Sequence, residues 1–214
     1  MFTAILFTQW KWGRLLLLMA TLAAFAIPLL SVQGLNTTYG NFYVVMSLQA
    51  FGIAYPLLAG AAGLLLSLSA WTSDHRGRHV YALSLPVPRW RYVLLRYQAG
   101  LVLLLLPILG IWLGAILATR FIHIPTGLHP YAASLALRFA LSAALAYTAF
   151  FAISSGTPRT AGIVLGIAAS LVAIQVLVSA AGSDFNLLRP VFDRLFIWPG
   201  PFEIFTGRWM LLDV

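Results

Sequence analysis

The sequence predicts an all-α protein that crosses a membrane several times. Of its 214 residues, 61% are hydrophobic and 8% are charged, whereas an ordinary soluble domain has roughly 25% charged residues. Mean hydropathy is +0.93, and the long apolar runs can each cross about 30 Å of hydrocarbon as a helix. In lipid every backbone amide must bond within the protein, which favours helices. We expect a single transmembrane domain, residues 1–214, with about five to six transmembrane helices.

Five apolar runs qualify as spans, and these are residues 13–32, 42–70, 99–118, 131–153 and 161–182.

The regions that flank the spans differ in composition. Residues 1–12 end in Trp10, Lys11 and Trp12, which suits either a helix lying in the headgroup region or an ordinary flanking tail. The run at 42–70 exceeds one span, so it must tilt, kink at Pro56 or protrude. Residues 183–214 carry charges and prolines throughout and contain no run long enough to span. We expect them to form an outer tail that either lies at the outer interface or dips into it as a re-entrant segment.

The chain is strongly basic, with 13 Lys and Arg against 5 Asp and Glu and a net charge of +8. In a membrane protein the positive-inside bias and anionic lipid explain this charge, so the bilayer is the expected partner and nucleic acid is not. Lys11, Arg14, Arg159 and the arginines of residues 71–97 flank the spans on one side, against Arg120 on the other. The amino terminus is therefore predicted to be cytoplasmic, in a cell membrane that the arginine bias suggests is a bacterial plasma membrane.

Motifs for intramembrane chemistry are absent from the sequence. There is no cysteine, so disulfides and thiolate metal sites are excluded. Neither His-Glu-x-x-His nor a glycine-rich loop ending Gly-Lys-Ser/Thr occurs, and all four histidines lie in predicted loops. We expect no enzyme activity in this chain, and no metal or cofactor bound by it.

Three polar residues inside predicted spans are candidates for a substrate path. Arg138 lies in the fourth span, where its charge is costly unless it reaches the interface, water or a partner. Its side chain is expected either to extend outward to the membrane surface or to face a substrate path. Gln49 and Gln175 are expected to bond between helices or to contact substrate.

Small residues recur at spacings that allow two helices to approach closely, and the interface they form can lie within the bundle or between subunits. The candidate packing glycines are Gly60, Gly63, Gly110, Gly114, Gly162 and Gly166.

The segment at residues 71–97 is the long charged interruption between the second and third spans. A cap at Thr72 or Ser73 and a carboxylate at Asp74 predict a short helix over residues 73–85. Pro86 and Pro88 end it, because proline has no amide hydrogen to donate. A second helix is expected to start near Arg89. On charge alone this is a basic loop that obeys the positive-inside rule.

The order of residues in this segment is more specific than its charge. Asp-His-Arg-Gly at 74–77, Leu-Ser-Leu-Pro-Val-Pro-Arg at 83–89 and Gln-Ala-Gly at 98–100, followed by a leucine-rich span, resembles the first cytoplasmic loop of type-2 ATP-binding-cassette (ABC) transporter permeases. The chain departs from that pattern at Asp74, where glutamate is more usual, at Pro88, and in lacking a sixth span.

The resemblance implies a cytoplasmic coupling helix that docks on a separate nucleotide-binding ATPase subunit, which would hold ATP and Mg. It also implies a second permease chain, either identical or different. The residues that it assigns to coupling are Asp74, His75, Arg76, Gly77, Arg78, Leu83, Leu85 and Arg89. The alternative from another class is a non-transporting membrane scaffold or accessory subunit, assembled through the glycine faces and the basic loop.

Overall fold

The computed structural model describes residues 1–33, 48–49, 51–76, 88–121, 127–156, 158–180, 186 and 188–213, with the backbone alone at 73–76, 158, 161, 165, 168 and 213. Within these residues the α-helices are α1 (Phe2–Val32), α2 (Ala54–Arg76), α3 (Arg89–Phe121), α4 (Ala132–Ser154), α5 (Pro158–Ala180) and α6 (Arg189–Phe196). A 3₁₀ turn covers Glu203–Phe205, and two short strands are β1 (His129–Pro130) and β2 (Leu212–Asp213).

Helices α1 to α5 each contain a stretch long and apolar enough to cross a membrane. The prediction of an all-α polytopic membrane protein is therefore confirmed. The β1–β2 pairing adds only two residues on each side, antiparallel, with His129 opposite Asp213.

Helix α1 is continuous through Gly13, where the sequence analysis placed a boundary between an interfacial helix and the first span. The glycine serves close packing here, because a Cβ at Gly13 would lie 3.2 Å from the Ser69 hydroxyl on α2. Both α1, with 31 residues, and α3, with 33, exceed the roughly 20 residues that a bilayer requires. Each must therefore extend beyond the hydrocarbon.

Within the predicted second span, residues 42–70, the described residues 48, 49 and 51 are helical and residues 52 and 53 form a turn. Helix α2 starts at Ala54, which places Pro56 in its first turn. Proline is tolerated there because the first amide hydrogens of a helix have no partner within it. At its other end α2 runs on to Arg76, so the first turn of the predicted coupling helix continues the second span.

The chain divides into two compact units, Met1–Phe151 with Arg208–Val214, and Ala152–Gly207. In the first unit α1 and α3 run parallel, since Gln9 bonds to Arg96 and Thr21 lies against Gly110. Helix α2 runs antiparallel to α1, with Tyr55 bonded to Ser31 at 3.4 Å. The amino-terminal ends of α1 and α3 therefore lie beside the carboxyl-terminal end of α2.

Glycines mark the closest approaches between helices of the first unit. A Cβ at Gly63 would lie 2.6 Å from the Tyr147 nitrogen on α4, and one at Gly110 would lie 2.8 Å from the Thr21 oxygen on α1. A Cβ at Gly114 would overlap the Phe25 carbonyl oxygen of α1. Gly60 is partly buried on α2.

The second unit contains α5, α6 and the 3₁₀ turn. A row of stacked rings runs from Phe192 to Phe196, 4.7 Å between centroids, and on to Phe202 at 5.5 Å. Along α5 nothing lies within 4 Å of a Cβ at Gly162 or Gly166, so neither lies at a close helix contact among the described residues.

Candidate functional site

The predicted coupling residues that the structure describes lie at the end of α2 and the start of α3. Asp74, His75 and Arg76 form the last turn of α2, which the structure describes as backbone. Arg89 is the first residue of α3 and is exposed. The remaining predicted coupling residues, which lie outside the described residues, are Gly77, Arg78, Leu83 and Leu85.

A buried arginine ties these two helix ends together. Arg96 on α3 is 3% exposed, and its Cζ lies 5.0 Å from the centre of the Trp71 ring on α2. Its Nη1 donates a hydrogen bond of 2.5 Å to the hydroxyl of Tyr92, one turn earlier. Gln9 on α1 donates from Nε2 to the Arg96 carbonyl oxygen at 3.0 Å. We call these four residues, which join three helices, the Arg96 cluster.

The electrostatics of the Arg96 cluster favour a fixed geometry. The Arg96 guanidinium also lies 5.3 Å from the Tyr92 ring centre, so two aromatic rings stabilise its charge. A desolvated cation–π contact is worth about 2 kcal/mol. The side chains of Gln9 and Trp71 each bury a polar atom, Oε1 and Nε1, that has no hydrogen-bond partner among the described residues. The first of these atoms is a hydrogen-bond acceptor and the second is a donor.

An aromatic layer next to the Arg96 cluster joins it to α4. The Trp71 ring lies 5.2 Å from that of Phe151, and the Tyr97 ring lies 5.6 Å from that of Tyr147. Gly100 makes room for the Tyr147 ring and hydroxyl, which a side chain at 100 would overlap. Such ring pairs add about 0.5–1.5 kcal/mol beyond the area they bury. The ends of α2, α3 and α4 are thus held as one block.

The opposite end of the first unit is closed by the C-terminal segment, residues 208–212. Trp209 is 2% exposed and stacks on Tyr55 of α2 with 6.4 Å between ring centroids. Arg138 of α4 donates from Nη1 to the Arg208 carbonyl oxygen at 2.5 Å and lies 4.8 Å from the Trp209 ring centre. Tyr131 donates its backbone amide to the Leu211 oxygen at 2.9 Å. Arg138 therefore holds the C-terminal segment against α4.

The two candidate glutamines lie apart from these contacts. Gln49 is exposed, and its backbone oxygen accepts the amide of Gly52 at 3.0 Å. In the second unit, Gln175 donates to the Ser179 hydroxyl at 3.2 Å and accepts the Leu188 amide at 3.4 Å. Gln175 thus connects α5 to the start of α6.

The contacts at the two ends of the first unit are aromatic packing and the interactions of a charged arginine. Among the described residues no group of three His, Asp or Glu side chains could hold a metal ion. Comparison with protein-family models, with curated proteins and with solved structures gave no match to this chain.

The sequence analysis missed the most organised contacts. It placed Arg96 in the charged segment between the second and third spans, whereas the structure buries this side chain. The available signal was the spacing of Tyr92 and Arg96, four residues apart and hence on one face of a helix. The sequence analysis also did not anticipate that Trp209 is buried in the first unit, since no local pattern indicates a contact so distant in sequence.

Proposed function

We propose that this chain is the membrane-embedded permease subunit of an ABC-type exporter in a bacterial plasma membrane. The segment at residues 71–97 would be cytoplasmic and would dock on a separate ATPase subunit, which hydrolyses the ATP. The observation that carries the proposal is the residue order from Asp74 to Arg89, placed between two spans whose ends meet at a buried arginine.

A coupling segment must be joined stiffly to the spans that it moves, and the Arg96 cluster supports this role for residues 71–97. A push on a loop moves the spans only if the loop is joined stiffly to them, and a hinge there would absorb the movement. Arg96 is held by Trp71 at the end of α2 and by Gln9 on α1. A force applied between Arg76 and Arg89 is therefore passed to α1, α2 and α3 together.

The driving energy in this mechanism comes from the partner subunits. ATP binding would bring two ATPase subunits together and move the coupling segments of the two permease chains. The permease then alternates between inward and outward access because the closed ATPase pair binds one arrangement more tightly than the other. Without such differential binding no population shift follows.

Affinity purification of the tagged chain from its native membranes tests the proposal. Wild type is compared with Asp74→Ala/Arg76→Ala by mass spectrometry of the co-purified proteins. The matched control is Asp193→Ala/Arg189→Ala, which also removes one acid and one base, from an exposed ion pair on α6 with 3.8 Å between the charged atoms. We expect an ATPase subunit to co-purify with wild type and control and to be depleted with the Asp74/Arg76 variant.

A membrane scaffold is the second candidate function. The observation that favours it is the open face of α5, where Gly162 and Gly166 have no close neighbour among the described residues and leave space for another helix. Co-purification of other membrane proteins without any ATPase would replace the exporter proposal with this one. Gly162→Leu/Gly166→Leu would then release those proteins.

A further inference from the structure

An open pocket lies between the first two turns of α4 and the C-terminal segment. Its volume is about 190 Å³, well above the roughly 10–15 Å³ that one water molecule needs. Tyr131, Ser134 and Arg138 line it from the α4 side, and Arg208 and Trp209 line it from the C-terminal segment. None of the described residues that line it is acidic. The pocket is therefore lined by two arginines together with hydroxyl and indole groups.

The pocket is held in shape before any ligand arrives. Arg138 donates to the Arg208 carbonyl oxygen and lies over the Trp209 ring, which is itself stacked on Tyr55. These contacts fix the position of the Arg138 guanidinium at the edge of the pocket. A guanidinium fixed in one orientation loses little entropy on binding an oxyanion, whose two oxygens it can engage as a planar fork.

The position of the pocket indicates where its ligand comes from. Arg138 is six residues beyond the first residue of α4, which is about 9 Å along a spanning helix and close to the headgroup region. Ser134, Leu137 and Leu141 are spaced three and four residues apart, so they share one face of α4. Leu137 is 62% exposed and Leu141 is 52% exposed. An apolar track thus leads from the pocket toward the middle of the bilayer.

We propose that this pocket binds the phosphate of an anionic phospholipid, with its acyl chain along Leu137 and Leu141. Arg138 and Arg208 contact the phosphate oxygens, and the Ser134 hydroxyl donates a further hydrogen bond. The site lies at the opposite end of the first unit from the Arg96 cluster, and it does not depend on the exporter assignment.

Native mass spectrometry of the purified full chain tests the proposal, with lipids titrated as phosphatidylglycerol or as zwitterionic phosphatidylcholine. The informative variant is Arg208→Gln, because the Arg208 carbonyl that Arg138 holds stays in place. The matched control is Arg189→Gln, which removes one exposed arginine from α6 in the second unit. Loss of a hydrogen bond to a charged group corresponds to about tenfold weaker binding.

We expect wild type and Arg189→Gln to retain phosphatidylglycerol in preference to phosphatidylcholine, and Arg208→Gln to bind it about tenfold more weakly at an unchanged melting temperature. Equal binding of the two lipids, or equal loss in both variants, would overturn the proposal. An arm with inorganic phosphate alone separates the two sources of the anion. Full displacement of the lipid by free phosphate would mean that the site takes a soluble anion, contrary to the proposal.

Discussion

Glycine at position 114 sets how closely α1 and α3 pack, and Gly114→Ala tests this geometry directly. A methyl group there would overlap the Phe25 carbonyl oxygen and lie 3.0 Å from the carbonyl carbon. These are backbone atoms of a helix, which cannot rotate away, so the two helices must separate. Overpacking costs about 1–3 kcal/mol, and the better helix propensity of alanine returns up to about 1 kcal/mol. The free energy of unfolding should therefore fall by about 1–2 kcal/mol.

Gly166→Ala is the matched control for this substitution. Among the described residues nothing lies within 4 Å of a Cβ at Gly166, so only the propensity gain remains. Melting temperatures in detergent, followed as the loss of monodisperse protein after heating, should fall by about 2–8 °C for Gly114→Ala, since 1 kcal/mol corresponds to about 2–4 °C at this size. Gly166→Ala should keep or slightly raise the wild-type value. Equal melting temperatures for the two variants would refute the described contact between α1 and α3.

Three further predictions follow from the geometry of the first unit. Arg89 and Phe121 are the first and last residues of α3, about 48 Å apart, in a chain without cysteine. With the amino terminus in the cytoplasm, Phe121→Cys should react with an impermeant maleimide in intact cells, and Arg89→Cys should react only after permeabilisation. The reverse pattern would invert the predicted orientation. Trp209→Ala should lower the free energy of unfolding by about 3–5 kcal/mol, because Trp209 is 2% exposed. The control Trp198→Ala, at a side chain that is 79% exposed, should change the free energy of unfolding by less than about 0.5 kcal/mol. Similar melting temperatures for the two variants would argue against the docked C-terminal segment. Arg96→Gln removes a desolvated cation–π contact worth about 2 kcal/mol, so the melting temperature in detergent should fall. An unchanged melting temperature would show that this contact does not hold α2 to α3.

The sequence predicted the spans well where turn residues punctuate the apolar runs. Helices α4 and α5, observed at Ala132–Ser154 and Pro158–Ala180, lie close to the predicted 131–153 and 161–182. Gly156 lies between them and Pro158 is the first residue of α5, a position that proline favours. Composition alone therefore located these elements, because length and hydropathy suffice to specify a helix that spans lipid.

Boundaries without such punctuation were not predictable. Gly13 carries the signal of a break, yet α1 continues through it because α2 packs against it. Pro56 lies in the first turn of α2, directly after a turn at residues 52–53. In both cases the partner helix or the position within the helix determines the outcome, and a single sequence shows neither.

The site residues show the same limit. Arg138 was identified as a costly charge in a span, and its contact with the Arg208 carbonyl and the Trp209 ring explains how that charge is accommodated. The alternatives of an outward-extended side chain or a substrate path did not include a contact with the chain's own C-terminal segment. Pairing of residues so distant in sequence leaves no periodic pattern, so only the three-dimensional structure reveals it.

Helices α2 and α4 connect the Arg96 cluster at one end of the first unit with the Arg138 contact at the other. Helix α2 carries Trp71 at one end and Tyr55 at the other, 16 residues or about 24 Å apart. Between them Gly63 brings α2 against the α4 backbone, since a Cβ at this glycine would lie 2.6 Å from the Tyr147 nitrogen. Packed helices shift as units and do not deform continuously. A displacement of the Arg96 cluster would therefore be carried by α2 and α4 to Tyr55 and to the pocket between α4 and the C-terminal segment, and the proposed exporter would couple its two ends through these helices.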